Sequence, residues 1–552
     1  MCGIWATLGK IYPKEVAEGL LKQLSARGPE GARIIEDAKF QLGFTRLAIN
    51  GLNPEGMQPM CYNSLAWACN GEIYNSEDLA KRWQIDSTGS DCSVLGPLFE
   101  ALGSQTDAKT FFQSLDGVFA MIIIDAKSGV AFVARDPYGV RPLYVGYCLG
   151  GVGVPSHGRM CITDAQGVRP VERMVFSSEL KALGECSLVE AFPPGHYAAY
   201  DMNTLNRIGF EAYHTVPWIK NPQYSDLESA KSALSISLRA AVKKRMMMER
   251  PVAALLSGGL DSSLIAALVQ SELKAAGKPA LKTFSIGFEG SEDLKYARLV
   301  ADHIGSDHTE VVMTEEDFFD AIPEVIQSIE SYDITTVRAS VGNWLVAREI
   351  SRQTDCKVVF NGDGSDEVLG GYMYFYNAPS DEAFEAETSR LLQDMHMFDV
   401  LRSDRCISSH GLEARTPFLD KQFVAVAKSI STLLRRPVKG KWNEKQVLRL
   451  AFLDSGLLPA SVILRKKEAF SDGVSGKKPW YQVCQEKAFA EVGDWEKRNS
   501  FLYMTPKTAE AYYYRVLFNR FYGSAEQVVP YYWMPRWSPG ATDPSARTLS
   551  VY

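Results

Sequence analysis

At 552 residues the chain is long enough for several ordinary domains or two large ones, and its 46% hydrophobic and 23% charged residues are typical of a globular protein. The net charge of -7 leaves no basic footprint, which argues against a nucleic-acid partner. Ten scattered cysteines form no CxxC pair, so neither a zinc site nor a disulfide framework is signalled. No apolar run reaches the roughly 18 residues of a membrane span, and the first residues lack a signal peptide's basic and apolar regions. A cytoplasmic chain with no membrane partner is expected.

From residue 1 to about 205, short β-branched runs alternate with turns: IWATLG, FQLGFTRLAI, SLAWACNGEIYN, GVFAMIIIDAKSGVAFVARD, PLYVGY, MVFSSE and GHYAAYD. They predict mostly antiparallel, layered sheets, with a hairpin turning at Lys127-Ser128-Gly129 and helices near 14–26 and 91–103. Residues 206–225, with Pro217 and Pro222, read as a linker. Beyond it the period changes to helix (SDLESAKSALSISLRAAVKKRMM), strand (VAALLS), helix (SSLIAALVQSELKAA) and strand (LKTFSIGF). That alternation implies a parallel sheet with a right-handed crossover, to which KVVFNG adds a strand. Helical patterns dominate after about 375, and the last residues are rich in Trp, Pro and Ser. The expected organisation is 2–205, a linker 206–225, a second domain 226–530 and a tail 531–552.

SGGLDSS (257–263) stands between the strand VAALL and a helix. Its Gly-Gly turn brings backbone N–H groups to a phosphate, Ser257, Ser262 and Ser263 add hydroxyls, and the helix N-terminus adds partial positive charge. A tight turn with serine as N-cap explains the same letters. Asp261 separates the two readings, because a carboxylate beside a phosphate calls for a bridging divalent cation. NGDGSDE (361–367) places Asp363, Asp366 and Glu367 after a second strand, where the two acidic loops would meet at the sheet's carboxyl edge.

At the other end, removal of Met1 would make Cys2 the N-terminal residue. A free α-amino group, with a pKa near 8, is then a general base within reach of the sulfur, and attack on a carboxamide would give a thioester and ammonia. An incidental second-position cysteine is the alternative. Arg46 suits a carboxylate, Asn70 and the Gly71 N–H suit an oxyanion, and Asp91 suits an α-ammonium, although each alone also reads as a turn or surface residue.

Taken together these residues resemble known families. SGGLDSS is similar to the PP-loop of the N-type ATP pyrophosphatases, and Cys2, RGPE (27–30), Arg46, Asn70-Gly71 and Asp91 coincide with class II glutamine amidotransferase motifs. SYDITTVRAS (331–340), GSDEVLGGY (364–372), LEARTPFLD (412–420), RKKEAFSDG (465–473), YYWMPRW and ATDPSARTL all resemble glutamine-hydrolysing asparagine synthetases of the animal type, across essentially the whole chain. β-Lactam synthetases share both domain types but lack the nucleophile.

The resemblance implies an α+β Ntn-hydrolase-type αββα sandwich followed by an α/β PP-loop domain with a helix-flanked parallel sheet. It implies Cys2 as nucleophile, Asn70 and Gly71 as oxyanion hole, and Arg46, Leu47, Ala48, Ile49, Asn50, Asn70, Gly71, Glu72 and Asp91 as glutamine ligands. ATP would meet Leu256, Ser257, Gly258, Gly259, Asp261, Ser262, Ile286, Asn361 and Gly362, with Mg2+ on Asp261 and Asp366. Lys467 would neutralise developing charge, and Asp363 occupies a catalytic position. Arg338 would orient aspartate or a phosphate, or serve as a structural ion pair. The implied reaction turns ATP, L-aspartate, L-glutamine and water into AMP, diphosphate, L-asparagine and L-glutamate, through β-aspartyl-AMP and ammonia passed between two sites. A homodimer is the implied assembly. The alternatives are an amidotransferase with another acceptor carboxylate and a non-catalytic glutamine- or nucleotide-binding regulator.

Three departures bear on these expectations. The family's Ser-Gly-Glu-Gly is Asn361-Gly362-Asp363-Gly364, a loss of about 1.5 Å of reach. A displacement of about 1 Å costs on the order of 100-fold in rate, so a slowed or rerouted step is expected unless the loop compensates. Ala26 replaces a histidine and Glu30 an aspartate, changes expected to affect loop packing. His303 and His308 read as structural.

Overall fold

A computed structural model describes residues 1–86, 89–102, 108–152, 158–164, 166–216, 221–468, 473–475, 478–523 and 525–545. Pro217 of the expected linker, residue 103 at the end of an expected helix, and parts of two motifs, 469–472 and 546–549, lie outside the described residues. The chain divides into two compact units, Met1–Thr215 and Val216–Tyr552.

The first unit contains β1 (Gly3–Gly9), β2 (Ala32–Asp37), β3 (Phe40–Thr45), β4 (Met60–Tyr62), β5 (Leu65–Ile73), β6 (Gly117–Asp125), β7 (Val130–Arg135), β8 (Tyr144–Leu149), β9 (Cys161–Asp164), β10 (Gly167–Ser177), β11 (Leu188–Ala191), β12 (His196–Asp201) and β13 (Arg207–Ala212). They form two antiparallel sheets, one ordered β11-β8-β10-β1-β3-β2 with β9 beside β10, the other β13-β12-β7-β6-β5-β4. Alternation builds the layers: Ile4, Ala6 and Leu8 join Phe44, Ala68, Ile122 and Val133 in the core between the sheets. Trp5 points the other way, and its Nε1 donates to Ala182 O at 2.9 Å. A second core on the outer face of the second sheet joins Trp67, Met121 and Phe132 to Leu98, Phe99 and Phe111 of the covering helices. The hairpin β6–β7 forms as its sequence predicts, with Asp125 opposite Val130.

Several elements differ from the expectation. Helix α1 is Lys14–Lys22, shorter than 14–26, and the helix expected from 91 starts as a 3-10 turn, Asp91–Val94. Helices α2 (Ser76–Trp83), α3 (Leu95–Leu102) and α4 (Ala108–Ser114) follow; α2 and α4 were not expected, being only eight and seven residues long, although α4 does bury a short stripe of Ala108, Phe111 and Phe112. Strands β2, β4, β9, β11 and β13 were not expected; β13, inside the stretch 206–225 read as a linker, pairs with β12 instead, and β2 and β13 are edges with faces too exposed to print an alternating pattern.

The second unit opens with α5 (Leu227–Lys244), whose N-cap Asp226 accepts from Ser229 N. Its sheet is parallel: β14 (Val252–Leu255), β15 (Lys282–Phe288), β16 (Asp307–Met313), β17 (Val358–Phe360) and β18 (Glu413–Arg415), in the order β16-β15-β14-β17-β18. Helix α6 (Leu260–Ala275) connects β14 to β15, as the strand-helix-strand reading predicts. Because β14 and β17 are neighbours, the loops carrying Asp261 and Asp366 leave adjacent strands at the same end. Residues past 530 pack within this unit, where Trp533 N donates to Asp333 Oδ1 at 2.8 Å. Among the described residues no helix is long and apolar enough to cross a membrane.

Candidate active sites

The N-terminus is held by a buried ion pair. Arg27 donates through Nε to Cys2 O and through Nη1 to Glu179 Oε1, both at 2.9 Å, and Ile4 N donates to Ser178 Oγ at 3.0 Å. Met1 is itself fully buried beside Arg27. Half-buried Cys2 faces Leu47, its sulfur 3.4 Å from the Leu47 N–H and 3.5 Å from the carbonyl. Gly28 lies so close to β3 that a Cβ there would fall 2.3 Å from the Thr45 carbonyl carbon. This is why the turn between α1 and β2 needs glycine.

The 46–50 loop connects this corner to β5. Arg46 Nη2 donates to Gly51 O at 2.5 Å, Ala48 N donates to Glu30 Oε2 at 2.8 Å, and Asn50 Nδ2 donates to Glu72 Oε2 at 2.6 Å. Glu30 therefore supports the loop backbone, in keeping with a packing role. Asp91 Oδ2 accepts from Ile73 N at 2.7 Å, fixing the end of β5. Gly71 is dictated by contact, since a Cβ would lie 2.1 Å from Val118 O. Asn70 is fully buried, yet neither its Oδ1 nor its Nδ2 has a partner among the described residues. A buried unpaired amide costs about 1–3 kcal/mol, so it marks a place for a polar ligand.

In the second unit the SGGLDSS turn is held by its own hydroxyls. Ser257 N donates to Ser262 Oγ at 3.1 Å, and the two hydroxyls are 3.0 Å apart. Gly258 has φ +71, and a Cβ there would meet Ala297 N at 2.5 Å. The N-cap of α6 is Gly259, with no side-chain cap, so serine does not close this helix and its first N–H groups face a ligand position. Gly362 approaches the same helix end, its would-be Cβ 2.7 Å from Ser262 N.

Asp261 and Asp366 come together here, as their loops suggest. Lys445 Nζ lies 2.6 Å from an oxygen of each, Lys467 Nζ lies 2.6 Å from Asp366 Oδ2, and Ser365 Oγ donates to Asp261 Oδ1 at 2.8 Å. Burial opposes the charge on Asp366, but Lys445 and Lys467 outweigh it and hold the carboxyl far below its usual range. Burial likewise works against the Lys467 charge, and Asp366 and Asp261 override it and raise its pKa. Two carboxylates with room for phosphate oxygens suit magnesium, which takes few protein ligands when phosphates supply the rest. A cavity of about 240 Å³ opens from this point, lined in part by Leu256, Ile286, Asn361, Gly362 and Asp363.

Residues 1–230 match the Glutamine amidotransferase domain family, and residues 233–386 and 377–547 match the Asparagine synthase family. The chain is 40% identical over 578 positions to the glutamine-hydrolysing asparagine synthetase of Gallus gallus, covering 100% of this chain and 99% of that protein. The human enzyme is 39% identical over 579 positions with the same coverage. The chain belongs to the glutamine-hydrolysing asparagine synthetase family.

Against that family's pattern the departures acquire a geometry. Asn361 Nδ2 donates to Ser403 Oγ at 2.7 Å, so the loop is tied to the helix Asp399–Ser408. Asp363 is half-buried, with Oδ1 3.4 Å from Arg402 Nη2 and Oδ2 without a hydrogen-bond partner among the described residues. Burial pushes its pKa up against the pull of Arg402. Beside it, burial together with Asp399 and Asp366 raises Glu367 well above the usual range, and Tyr372 donates to Glu367 Oε1 at 2.5 Å.

One of the two readings of Arg338 is corrected. Its guanidinium is taken by Glu510 (2.7 and 2.5 Å) and Asp543 (2.8 Å twice), so it is a structural ion pair and is not free to orient aspartate or a phosphate. His308 bonds Thr283 and Ser285 at 2.9 and 3.0 Å, and burial lowers its pKa to about 4. Exposed His303 bonds Gly456 O at 3.1 Å. Sequence reasoning missed Arg27 as the anchor of the terminus, Arg402 beside Asp363, and Lys445 altogether.

Proposed function

We propose that the chain makes L-asparagine from L-aspartate, using ATP and taking nitrogen from L-glutamine. In the first unit Cys2, once Met1 is removed, gives its thiol proton to its own α-amine, whose ordinary pKa near 8 suits a base at neutral pH. The thiolate attacks the glutamine carboxamide, and the Asn70 amide with the Gly71 N–H receives the oxyanion. Glu72, Asp91 and Arg46 hold the amino acid's charged ends. Ammonia leaves, and water releases glutamate from the thioester.

In the second unit the SGGLDSS turn binds the β- and γ-phosphates while the aspartate β-carboxylate attacks the α-phosphorus, forming β-aspartyl-AMP and releasing pyrophosphate. Asp261 and Asp366 would hold magnesium, whose charge polarises the phosphates. Lys467 neutralises the pentavalent phosphorus, Leu256 and Ile286 bound the adenosine, and Asp363 stands where a proton must leave the attacking ammonia. Ammonia from the first unit then displaces AMP. We assign the reaction to the cytoplasm and the assembly to a homodimer, the family expectation.

The observation that carries this reading is the convergence of Asp261 and Asp366 beside an uncapped helix end, in a chain whose second residue is a cysteine anchored by Arg27. The test is to incubate the protein with ATP, magnesium, aspartate and either glutamine or ammonium, and to measure asparagine and pyrophosphate. Both products are expected from both nitrogen sources. Pyrophosphate only with a different carboxylate would support the second reading, another acceptor, which the shortened Asp363 favours. No product under any condition would leave a non-catalytic binder.

A further inference from the structure

All four carboxylate oxygens of Asp261 and Asp366 have a partner. The outer two are taken by Ser365 Oγ, 2.8 Å from Asp261 Oδ1, and by Lys467 Nζ, 2.6 Å from Asp366 Oδ2. The inner two, Asp261 Oδ2 and Asp366 Oδ1, share one cation, Lys445 Nζ, at 2.6 Å from each. The Asp366 contact is a contact of charges rather than an aligned hydrogen bond. Magnesium binds carboxylate oxygen at about 2.1 Å. An ion held by both inner oxygens and this ammonium would need the same place.

The position of Lys445 is built, not accidental. Its side chain is 1% exposed and its backbone has φ +53, left-handed for a residue that is not glycine. Such a conformation costs on the order of 1 kcal/mol and persists only where the surroundings enforce it. Gly371 opens the slot: a Cβ there would lie 2.1 Å from Asp366 Oδ1 and 2.3 Å from Lys445 Cε.

We infer that Lys445 is a placeholder cation, occupying the metal position between Asp261 and Asp366 until nucleotide arrives, and then following the phosphates. The inference rests on the assignment of these two carboxylates to magnesium. Lys445 and Lys467 match the charge of Asp261 and Asp366, so a bare divalent cation entering between the two carboxylates must displace the buried Lys445 ammonium and needs negative charge to hold it elsewhere. A polyphosphate supplies that negative charge. Metal and nucleotide therefore enter together, and neither carboxylate is exposed to metal alone. Lys445 acts here as a positioning residue whose second station is the departing pyrophosphate.

The test uses the full-length protein with Mn2+ as a paramagnetic stand-in for magnesium, and α,β-methylene ATP as the nucleotide, with protein-bound Mn2+ read by electron paramagnetic resonance against analogue-only controls. Without nucleotide, Lys445→Gln should bind Mn2+ at least about tenfold more tightly than the wild-type chain, a coupling of ordinary size. Lys445→Arg, which keeps the charge, should behave as wild type. With the analogue, wild-type binding should tighten by a similar factor while Lys445→Gln gains little. Equal Mn2+ affinity of wild type and Lys445→Gln without nucleotide overturns the inference. Should Lys445→Gln not fold, the wild type decides alone: Mn2+ bound as tightly without the analogue as with it overturns the inference. Loss of protein-bound Mn2+ in Asp366→Asn with the analogue present confirms the metal assignment. No binding by the wild type even with the analogue removes that assignment and the inference with it.

Discussion

In the first unit the buried Asn70 amide has both polar atoms unpaired among the described residues, whereas in the second unit the half-buried carboxylates of the nucleotide site are already matched by Lys445 and Lys467. The difference follows from charge. A neutral amide without a partner costs a few kcal/mol at most and can wait for its ligand. Two half-buried carboxylates close enough to share one ammonium would repel each other and lose hydration, a larger cost, so the fold supplies cations in advance. A site for an uncharged group can be left open; a site for charge must carry its own stand-in.

The largest test of this division is at the terminus. Cys2→Ala, or a residue retained in front of Cys2, should lower glutamine-dependent asparagine formation by at least about 1,000-fold while leaving ammonium-dependent formation within about twofold. Equal loss from both nitrogen sources would break the comparison. Asn70→Ala should cut glutamine hydrolysis by about 100-fold, measured as glutamate release, as removal of an oxyanion donor does. Because the Asn70 amide has no partner among the described residues, the thermal midpoint of this variant should fall less than for truncation of a paired buried side chain.

In the charged unit the matching effect is on stability. Asp420, the N-cap of the helix Lys421–Lys428, pairs with Lys244 and Arg245 at 2.8 Å each. Burial opposes its charge, yet Arg245 and Lys244 outweigh burial and hold its pKa at about 2. The folded value lies below the unfolded value of about 3.9, so this stabilisation is complete above about pH 4 and is lost as pH falls toward 2. Asp420→Asn should cost about 3 kcal/mol by denaturant unfolding at pH 7, with the gap to wild type narrowing in acid. The smallest effect is expected at the shortened loop. One more methylene would carry the carboxylate toward Arg402, so Asp363→Glu should leave the ATP-dependent rate unchanged or raise it by less than about tenfold. A large fall would show that the loop has adapted to aspartate.

What the sequence disclosed, and what it hid, follows the same line. The β6–β7 hairpin, the β14–α6–β15 crossover and the meeting of Asp261 with Asp366 were legible because period, turn residues and strand-end geometry are local signals. The edge strands β2 and β13 left no alternation because their faces are largely exposed. Cys2, Asn70 and Asp91 were named from their chemistry, but the anchor of Cys2, the Arg27–Glu179 pair, joins residues 152 apart and prints no pattern. Lys445 was the least visible. It sits in the polar run KGKWNEKQ, reads as a solvated lysine, and reaches Asp261 across 184 residues from a left-handed backbone that no motif announces.

The Arg338 pair bears on the order of synthesis. Its guanidinium meets Glu510 and Asp543 only 172 and 205 residues after it has been made. At roughly 5–20 residues per second, that leaves a buried cation without its second partner for on the order of 10 to 40 s on the ribosome. The strands of the first unit all lie between residues 3 and 212, so that unit can close while its neighbour is still being translated. The second unit cannot complete the Arg338 pair until Asp543 has been made, and premature termination shortly before Asp543 should yield a chain with a folded glutaminase and an incomplete synthetase.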